Sequence, residues 1–393
     1  MKKIIILIIS LVIIFSSCSK NDEGEQIKAS PYYNIYEGLI GLNDVSTVVS
    51  NDNNLLICGN TSSTSFILKI NKDGDEIWRK TIMNGNKGDL YSLTQSSSND
   101  IYISGWTYGD GKSNEGDVLI IKTDSNGDTI WTKKYGGPES EFGRNIIETG
   151  DGNMLIAGRT SSFGAGASGD IYLLKFNSDG DTLWTKFYQD EGAEEPYSLL
   201  ETMDGNYLIV GFSRENNSFL FLRYYLKVNI NGEKMWDNKI VDTIKKFSFS
   251  TIELSNGDLI STGSVRFDSY EKGQVLVYKS DKFGNILWEK DFGEGDYSEN
   301  GYAIKQSIDG SFTITGRSDQ YVTKCDIVLL KIESNGNQIW YKRFGTQNLD
   351  RGKNVIIDSN DDIIITGEYN VDYFDLYEGD IFMTKIDKNG NFK

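Results

Sequence analysis

A short string that contains a tryptophan recurs along the chain, and its period constrains the fold more than any other feature. In residues 177–188 the string reads NSDGDTLWTKFY, and five variants share its pattern. Its tryptophans are 52 or 53 residues apart. A fixed period of this length indicates an array of similar structural units. The tryptophans are Trp78, Trp131, Trp184, Trp236, Trp288 and Trp340.

A second marker, a hydrophobic run that ends in glycine, gives the number of units. LLICGN and MLIAGR are two examples of this marker. It occurs once per period and is found seven times, so the sequence predicts seven units. The marker glycines are Gly59, Gly105, Gly158, Gly211, Gly263, Gly316 and Gly367.

One copy of the repeat can be divided into four strands. Residues 141–149, 154–160, 170–176 and 182–188 are runs rich in Ile, Leu, Tyr and Thr. Asp-Gly or Asn-Gly pairs bound several of them, and these pairs favour two-residue hairpin turns. The sequence therefore predicts an all-β fold, a seven-bladed β-propeller with four antiparallel strands in each blade.

The seventh repeat stops before its fourth strand, so we expect another part of the chain to supply it. The segment PYYNIYEG at residues 31–38 stands before the first glycine marker. We predict that Tyr32–Tyr36 pairs antiparallel with Ile381–Ile386 and closes the last blade. Residues 31–393 would then form a single propeller, and the chain would look complete.

A lysine stands nine residues before each repeated tryptophan. A hairpin centred on the intervening glycine places the two side chains opposite each other on one sheet face. We expect a cation–π contact there, worth about 0.5–1 kcal/mol. Packing is favoured over six ligand sites as the role of the tryptophans. The lysines are Lys69, Lys122, Lys175, Lys227, Lys279 and Lys331.

The N-terminus has the features of a lipoprotein signal peptide. A basic MKK is followed by the apolar run IIILIISLVIIF and by FSSC, which ends at Cys18. The apolar run is too short to span a membrane comfortably. It resembles the bacterial lipobox, which implies that residues 1–17 are removed and that Cys18 is acylated, for example by palmitate. An ordinary secretory signal is the alternative.

Residues 18–30 are polar and acidic and predict a flexible tether from Cys18. A lysine followed by acidic residues resembles the surface-export signal of some Gram-negative lipoproteins. We therefore expect a protein that is held in the outer membrane by its lipid anchor and faces the cell surface. The periplasmic face is the alternative.

Composition excludes several classes of function. The chain has no histidine, which rules out serine–histidine triads and histidine-ligated zinc. Its formal net charge is −17, so we expect no nucleic-acid partner. Cys58 and Cys325 lie in or beside strands of repeats that are not neighbours, and we expect buried thiols there rather than a disulfide.

The repeat resembles known propeller families. GDIYLLKFNSDGDTLWTKFY, with YGG at 135–137, resembles the seven-bladed propeller repeats of bacterial secreted and surface proteins. The D-x-x-G-x-x-x-W element is similar to the tryptophan-docking motif of quinoprotein-type propellers, a group that includes an outer-membrane assembly scaffold and PQQ-dependent dehydrogenases. None of that group's cofactor-binding residues transfers to this sequence, so we expect no cofactor.

The turn acids could also offer oxygen ligands to calcium, as at Asp124, Asn126 and Asp128. An EF-type loop needs a glutamate at position twelve, and the residue there is Tyr135. Turn formation explains these residues, so we expect no metal.

The candidate binding face lies on the long, varied loops, which connect strands two and three and successive blades. These loops open on one side of a propeller, and function concentrates in such loops. The face would also carry acids: Glu139, Glu141, Asp190, Glu191, Glu194, Glu195, Glu294, Asp296 and Glu299. Its aromatic residues would be Tyr108, Phe163, Phe267, Tyr270, Tyr321, Tyr369, Tyr373, Phe374 and Tyr377.

These features together predict a lipid-anchored, non-catalytic binding or scaffold protein. Aromatic and acidic loop residues suit either a glycan or a protein partner. An enzyme that uses carboxylates, of glycoside hydrolase or lyase type, is one alternative, and it requires two carboxyl groups about 5–10 Å apart. A structural lipoprotein of the outer-membrane assembly kind, without a pocket on the long-loop side, is the other.

Overall fold

The regular structure of the chain is entirely β over the residues that the computed structural model describes. No helix that could cross a membrane occurs in that part of the chain. The predicted signal peptide, Cys18 and the tether lie outside it. The described residues are 33–39, 45–61, 63–84, 88–108, 116–163, 169–189, 192–215, 221–266, 273–294, 297–321, 324–371 and 379–393.

The described residues form 28 strands. The first half of the chain contains β1 Tyr33–Tyr36, β2 Ser46–Val49, β3 Leu55–Asn60, β4 Thr64–Ile70, β5 Glu76–Asn84, β6 Gly88–Gln95, β7 Ile101–Tyr108, β8 Gly116–Thr123, β9 Thr129–Tyr135, β10 Glu141–Glu148, β11 Met154–Thr160, β12 Asp170–Phe176, β13 Thr182–Tyr188 and β14 Gly192–Glu201. The second half contains β15 Tyr207–Glu215, β16 Phe221–Val228, β17 Lys234–Ile240, β18 Lys245–Glu253, β19 Leu259–Arg266, β20 Gly273–Ser280, β21 Ile286–Phe292, β22 Ser298–Gln306, β23 Phe312–Tyr321, β24 Lys324–Ile332, β25 Gln338–Phe344, β26 Leu349–Ile357, β27 Ile363–Val371 and β28 Asp380–Ile386.

The strands pair antiparallel in groups of four consecutive strands, as β10 to β13 do. The strands predicted for this copy at 154–160, 170–176 and 182–188 match those observed. The strand predicted at 141–149 ends one residue beyond the observed β10. Single-residue parallel bridges, Gly273 to Ser298 and Cys325 to Leu349, join some neighbouring groups. The predicted four-stranded repeat is therefore confirmed.

The first strand of each group lies on the inside of the molecule, and we call these the inner strands. Each inner strand contacts the next one along the chain, and β26 returns to contact β2. The groups therefore surround a central channel. The inner strands are β2, β6, β10, β14, β18, β22 and β26.

The turns between strands three and four are three-residue loops, which corrects the prediction of two-residue turns. In the β12–β13 loop, the Asn177 N–H donates to the Asp181 carbonyl at 3.0 Å, and the Gly180 N–H donates to the Asn177 carbonyl at 2.9 Å. Gly180 has φ of +79°, which completes a type I turn followed by a left-handed residue. The Asn177 side chain accepts two further backbone N–H groups, those of Asp179 and Asp181.

The Asp124 carboxylate, one of the possible calcium ligands, takes part in turn formation. Asp124 Oδ1 accepts the backbone N–H groups of Asn126 and Asp128, each at 2.9 Å. This carboxylate therefore stabilises its own loop.

Strand β1 closes the last four-stranded group, as predicted. It pairs antiparallel with β28, with Tyr33 opposite Thr384 and Tyr36 opposite Ile381. Tyr36 is buried, and its hydroxyl donates to the Gly74 carbonyl at 2.7 Å in the neighbouring group. The prediction is confirmed over residues 33–36, and Tyr32 lies outside the described residues.

The repeated tryptophans pack against the turn of the next group. A Cβ atom on Gly232 would lie 2.9 Å from the ring of Trp184, and one on Gly127 would lie 2.8 Å from Trp78. Only a glycine allows the ring to approach the turn backbone this closely. The favoured role of the tryptophans, packing between units, agrees with this geometry.

The repeated lysines lie opposite the tryptophans in every pair, for example Lys175 opposite Trp184. The expected cation–π contact is replaced by an ion pair, because the lysine amine reaches along the strands to an aspartate in the turn of the inner hairpin. Lys175 Nζ lies 2.6 Å from Asp151 Oδ2 and 2.8 Å from the Tyr207 hydroxyl. The other pairs are Lys69–Asp52, Lys122–Asp100, Lys227–Asp204, Lys279–Asp258, Lys331–Asp309 and, in the last group, Lys385–Asp358.

Cys58 and Cys325 are buried, as expected, and neither forms a disulfide within the described residues. Burial raises the pKa of the Cys325 thiol well above its ordinary value. A thiol in this state is a poor nucleophile, so it acts as a small apolar side chain in the core.

Candidate functional site

Three aromatic residues of the predicted binding face have described side chains, and they differ in position. Tyr108 is 38% exposed, and its ring lies 4.4 Å from that of Trp106. Phe163 is half-buried, with its ring 4.5 Å from that of Phe187. The remaining side chains of that set, Phe267, Tyr270, Tyr321, Tyr373, Phe374 and Tyr377, lie outside what the structure describes.

Tyr369 does not lie on the surface, which corrects its placement on the binding face. It is only 6% exposed and packs against Tyr33 and Phe382. Strand β27 continues to Val371, so Tyr369 is a strand residue in the core and not part of a loop.

Several acids assigned to that face are buried as well. Glu141, Glu194 and Glu299 occupy equivalent positions, 17 residues before a marker glycine. Glu141 accepts hydrogen bonds from the Thr160 hydroxyl at 2.7 Å and from the Gly137 N–H at 2.7 Å. These carboxylates therefore hold the starts of inner strands in place.

A ring of seven side chains in the central channel was not predicted from the sequence. Six inner strands carry a β-bulge, and one extra residue at each bulge lies between two paired positions. A bulge re-aims the extra side chain, and here it points into the channel. Val45 occupies the same place before β2. We call these residues the bulge ring: Val45, Tyr91, Arg144, Tyr197, Phe249, Tyr302 and Lys353.

All seven members of the bulge ring line one cavity of about 520 Å³, which we call the long-loop chamber. The walls of this chamber also include Arg266 at the end of β19 and Arg317 in β23. These parts of the second strands lead to the long loops, so the chamber lies toward the long-loop side.

A second cavity of about 600 Å³ continues the channel in the opposite direction. Its walls include Val49, Gln306 and Ile357, which end inner strands on the side of the short turns. Both cavities are lined by Tyr197 and Tyr302. The bulge ring therefore lies where the two cavities meet.

The aromatic members of the ring touch one another along one side of the channel. The Tyr197 and Phe249 ring centroids are 5.2 Å apart, and those of Phe249 and Tyr302 are 5.7 Å apart. Lys353 Nζ lies 5.0 Å from the Tyr302 centroid, and the Arg144 guanidinium lies 4.7 Å from that of Tyr91. Three neighbouring rings thus line one side of the wall, and a cation lies at each end of that row.

Carboxylates behind the wall hold its cations in place. Arg144 Nε lies 2.8 Å from Glu195, and Arg317 Nη2 lies 3.1 Å from Asp319. Arg351 Nη1 lies 2.8 Å from the fully buried Glu368.

Lys353 also pairs with Glu368, at 3.4 Å. Burial opposes the charge of Arg351, but the Glu368 carboxylate outweighs it and raises the pKa of the guanidinium. The cation therefore stays charged at any physiological pH.

Three hydrogen-bond donors on the chamber wall have no acceptor within the described part of the chain. They are Asn300 Nδ2, Arg317 Nε and Arg351 Nε. Asn300 is only 2% exposed, and its Oδ1 already accepts from Arg266 at 3.4 Å. A buried donor without an acceptor costs about 1–3 kcal/mol, so these atoms mark the wall as rich in donors and poor in acceptors.

The chemistry of the chamber follows from these groups. Neither Asp nor Glu is among the described residues that line it, and the described chain holds no cluster of three or more metal-ligating acids or cysteines. The lining supplies aromatic faces and hydrogen-bond donors, which are the groups that can bind and orient a ligand. A sequence signal for the ring does exist, because each member stands 14 residues before a marker glycine.

Comparisons with known proteins identify the fold. No protein-family model and no curated protein sequence matches this chain. The structure of puromycin hydrolase is 8% identical with a TM-score of 0.58, and the match covers 91% of this chain and 54% of that one. This chain therefore spans about half the length of the puromycin hydrolase chain.

Two further solved structures are similar. Drosophila Plexin A, in complex with Semaphorin 1b, is 10% identical with a TM-score of 0.52, over 92% of this chain and 88% of that one. The α-L-arabinanase of Penicillium chrysogenum is 12% identical with a TM-score of 0.49, and the match covers 77% of this chain and 93% of that one. Puromycin hydrolase and Plexin A are β-propeller proteins, one an enzyme and the other a non-enzyme, so the likeness shows the fold alone.

Proposed function

We propose that this chain is a seven-bladed β-propeller, anchored to the outer membrane through Cys18, that binds its ligand without catalysis in the long-loop chamber. The 28 strands fit seven blades of four. The observation that carries the proposal is the bulge ring, because seven equivalent positions supply five different residue types to one cavity. A purely structural repeat would give no reason to place four aromatic rings and two cations there.

The path of the chain supports an orientation for the anchored protein. Tyr33 pairs near the end of β28, on the side of the short turns, and the Asn34 side chain donates to the Asp73 carbonyl of one such turn at 2.8 Å. A tether from Cys18 would therefore reach the propeller on the face opposite the chamber. The chamber would then face away from the membrane, toward ligands outside.

The absence of a carboxylate pair among the described lining residues favours binding over carboxylate catalysis. A glycoside hydrolase would need two acids that flank the ligand. The buried acids nearest to the long loops, such as Glu141 and Glu299, are instead bonded to hydroxyl and N–H groups of their own blade. The assembly-scaffold alternative predicts a long-loop side without a pocket. The chamber on that side therefore does not support it.

The proposal is tested with the mature protein, purified in detergent with its N-terminus intact, against a panel of neutral and acidic oligosaccharides. A ligand that binds only the folded state raises the melting temperature, by about 2.7 kcal/mol of stability at a hundredfold excess over its Kd. We expect one glycan class to stabilise the protein and the shift to disappear in Tyr197→Ala. Equal shifts in Tyr197→Ala, or a ligand consumed by turnover, would contradict the proposal.

A further inference from the structure

We propose that the ligand of the long-loop chamber is an acidic sugar, whose carboxylate binds the donor wall while its ring packs on the aromatic side. This inference rests on the function proposed above and names the chemical class of the ligand. The donor wall consists of Asn300, Arg317 and Arg351, and the aromatic side consists of Tyr197, Phe249 and Tyr302.

The donor wall points to an oxygen anion. Each of the three unpartnered atoms is an N–H donor, and the described lining offers no carboxylate to accept from them. A carboxylate has two oxygens with about four acceptor positions, so it matches a wall that offers N–H groups and no acceptor of its own charge type. The planar guanidinium of an arginine suits a planar carboxylate particularly well.

The charge distribution favours an anion in this one place. The whole chain carries a formal charge of −17, but the described lining of the chamber carries Arg144, Arg266, Arg317, Arg351 and Lys353 and no acid. The carboxylates Glu195, Asp319 and Glu368 lie behind these cations and offset part of their charge. Only the cations line the recess, and a recess lined by one sign of charge favours the opposite ion. An acidic ligand would therefore be drawn to the chamber and repelled by most of the remaining surface.

The aromatic side favours a ring over a bare ion. Tyr197, Phe249 and Tyr302 are each half-buried, so part of each ring is free to contact a ligand. Flat aromatic surfaces pack on the C–H faces of a pyranose, and the tyrosine hydroxyls can bond to sugar hydroxyls. A volume of about 520 Å³ lies in the range of small-molecule pockets and holds a short oligosaccharide rather than a folded partner.

The test compares two ligands with the same sugar chain, one with charged carboxylates and the other with neutral methyl esters. Isothermal titration of the full mature protein in detergent would use a galacturonate trisaccharide and its fully methyl-esterified form. We expect the acid to bind at least tenfold more tightly than the ester, and added salt to weaken it. Arg317→Gln should reduce the affinity for the acid at least tenfold, and its partner Asp319 is exposed enough to tolerate the change.

A matched control separates the chamber from general charge effects. Arg79→Gln removes an arginine outside the chamber, one that pairs with Glu76 in an outer strand. We expect this variant to bind the acid as the unmodified protein does. Melting temperatures without ligand show whether each variant is folded.

The possible failures are distinguishable. If acid and ester bind equally and Tyr302→Ala abolishes both, the chamber binds neutral sugars, and the inference is wrong while the proposed function stands. If a pentaglutamate peptide binds and neither sugar does, the ligand class is wrong. If the acid binds equally to Arg317→Gln and Tyr302→Ala, its site is elsewhere, and both proposals fall. If neither trisaccharide binds at millimolar concentration, the inference is overturned, and the oligosaccharide panel decides the proposed function.

Discussion

Replacing Gly232 by alanine should destabilise the protein far more than the same change at Gly205, although both glycines lie in turns of the same four-stranded group. Their φ angles are +73° and +76°, so an alanine would meet similar backbone strain at either position. That strain is about 1–2 kcal/mol. At Gly205 the added Cβ has no atom within 4 Å, so we expect no further cost.

At Gly232 the added Cβ would lie 2.7 Å from Lys186 Cγ and 2.9 Å from the Trp184 ring. Lys186 is flexible and can move, but the ring is held between two four-stranded groups. Overpacking of this kind costs about 1–3 kcal/mol, which brings the expected loss for Gly232→Ala to about 2–5 kcal/mol. Gly205→Ala should lose only the strain component.

Urea unfolding of both variants, followed by tryptophan fluorescence and by circular dichroism, measures the difference. A double-mutant cycle with Trp184→Ala adds a second check, because Gly232→Ala should cost less once the ring is gone. Equal free energies of unfolding for Gly232→Ala and Gly205→Ala would refute the docking role of Trp184. So would additive effects of Gly232→Ala and Trp184→Ala.

Three further outcomes are expected. Burial opposes the charge of Asp52, but hydrogen bonds, first that of Lys69, lower its pKa to about 2. In the unfolded chain the pKa of this carboxyl group is near 4, so its ionised form stabilises the fold at pH values above about 4. That stabilisation is lost as the pH falls toward 2. The melting-temperature difference between the unmodified protein and Asp52→Asn should shrink over that range, and a constant difference would contradict the ion pair. Cys18→Ala should abolish metabolic labelling with radioactive palmitate and release the protein from the membrane fraction, and retained label would place the acyl group elsewhere. Deletion of residues 19–37, which leaves the lipidation site intact, should lower the melting temperature by removing β1, and an unchanged value would show that the β1–β28 pairing adds nothing.

The period of the sequence determined most of the fold in advance. Strand positions, the Lys175–Trp184 register and the pairing of β1 with β28 follow from alternation and fixed spacing. The turn type was wrong because the glycine of each loop is the third loop residue rather than one of a central pair. Spacing alone cannot give a side-chain direction, so the aspartate partner of Lys175 was also missed.

The candidate site was harder to predict, because its position in the repeat does not keep one residue type. A pattern search finds positions that keep one residue type, whereas Arg144, Tyr197 and Lys353 share only their distance from the marker glycine. A bulge depends on the register between two strands, and hydrophobic alternation does not reveal it. The sequence predicts a loop at Tyr369 because the hydrophobic run ends at Gly367, whereas strand β27 continues to Val371.

The pairing of β1 with β28 has a consequence for how the protein is made. Tyr33 and Thr384 lie opposite each other in paired strands but are separated by almost the whole chain. Contacts between such distant positions form slowly, because the loop between them must close first. Strand β1 is the first of the described strands to leave the ribosome, and it is therefore among the last to find its partner. Until β28 has been made, β1 has no strand to pair with, and an unpaired strand edge of this kind promotes aggregation.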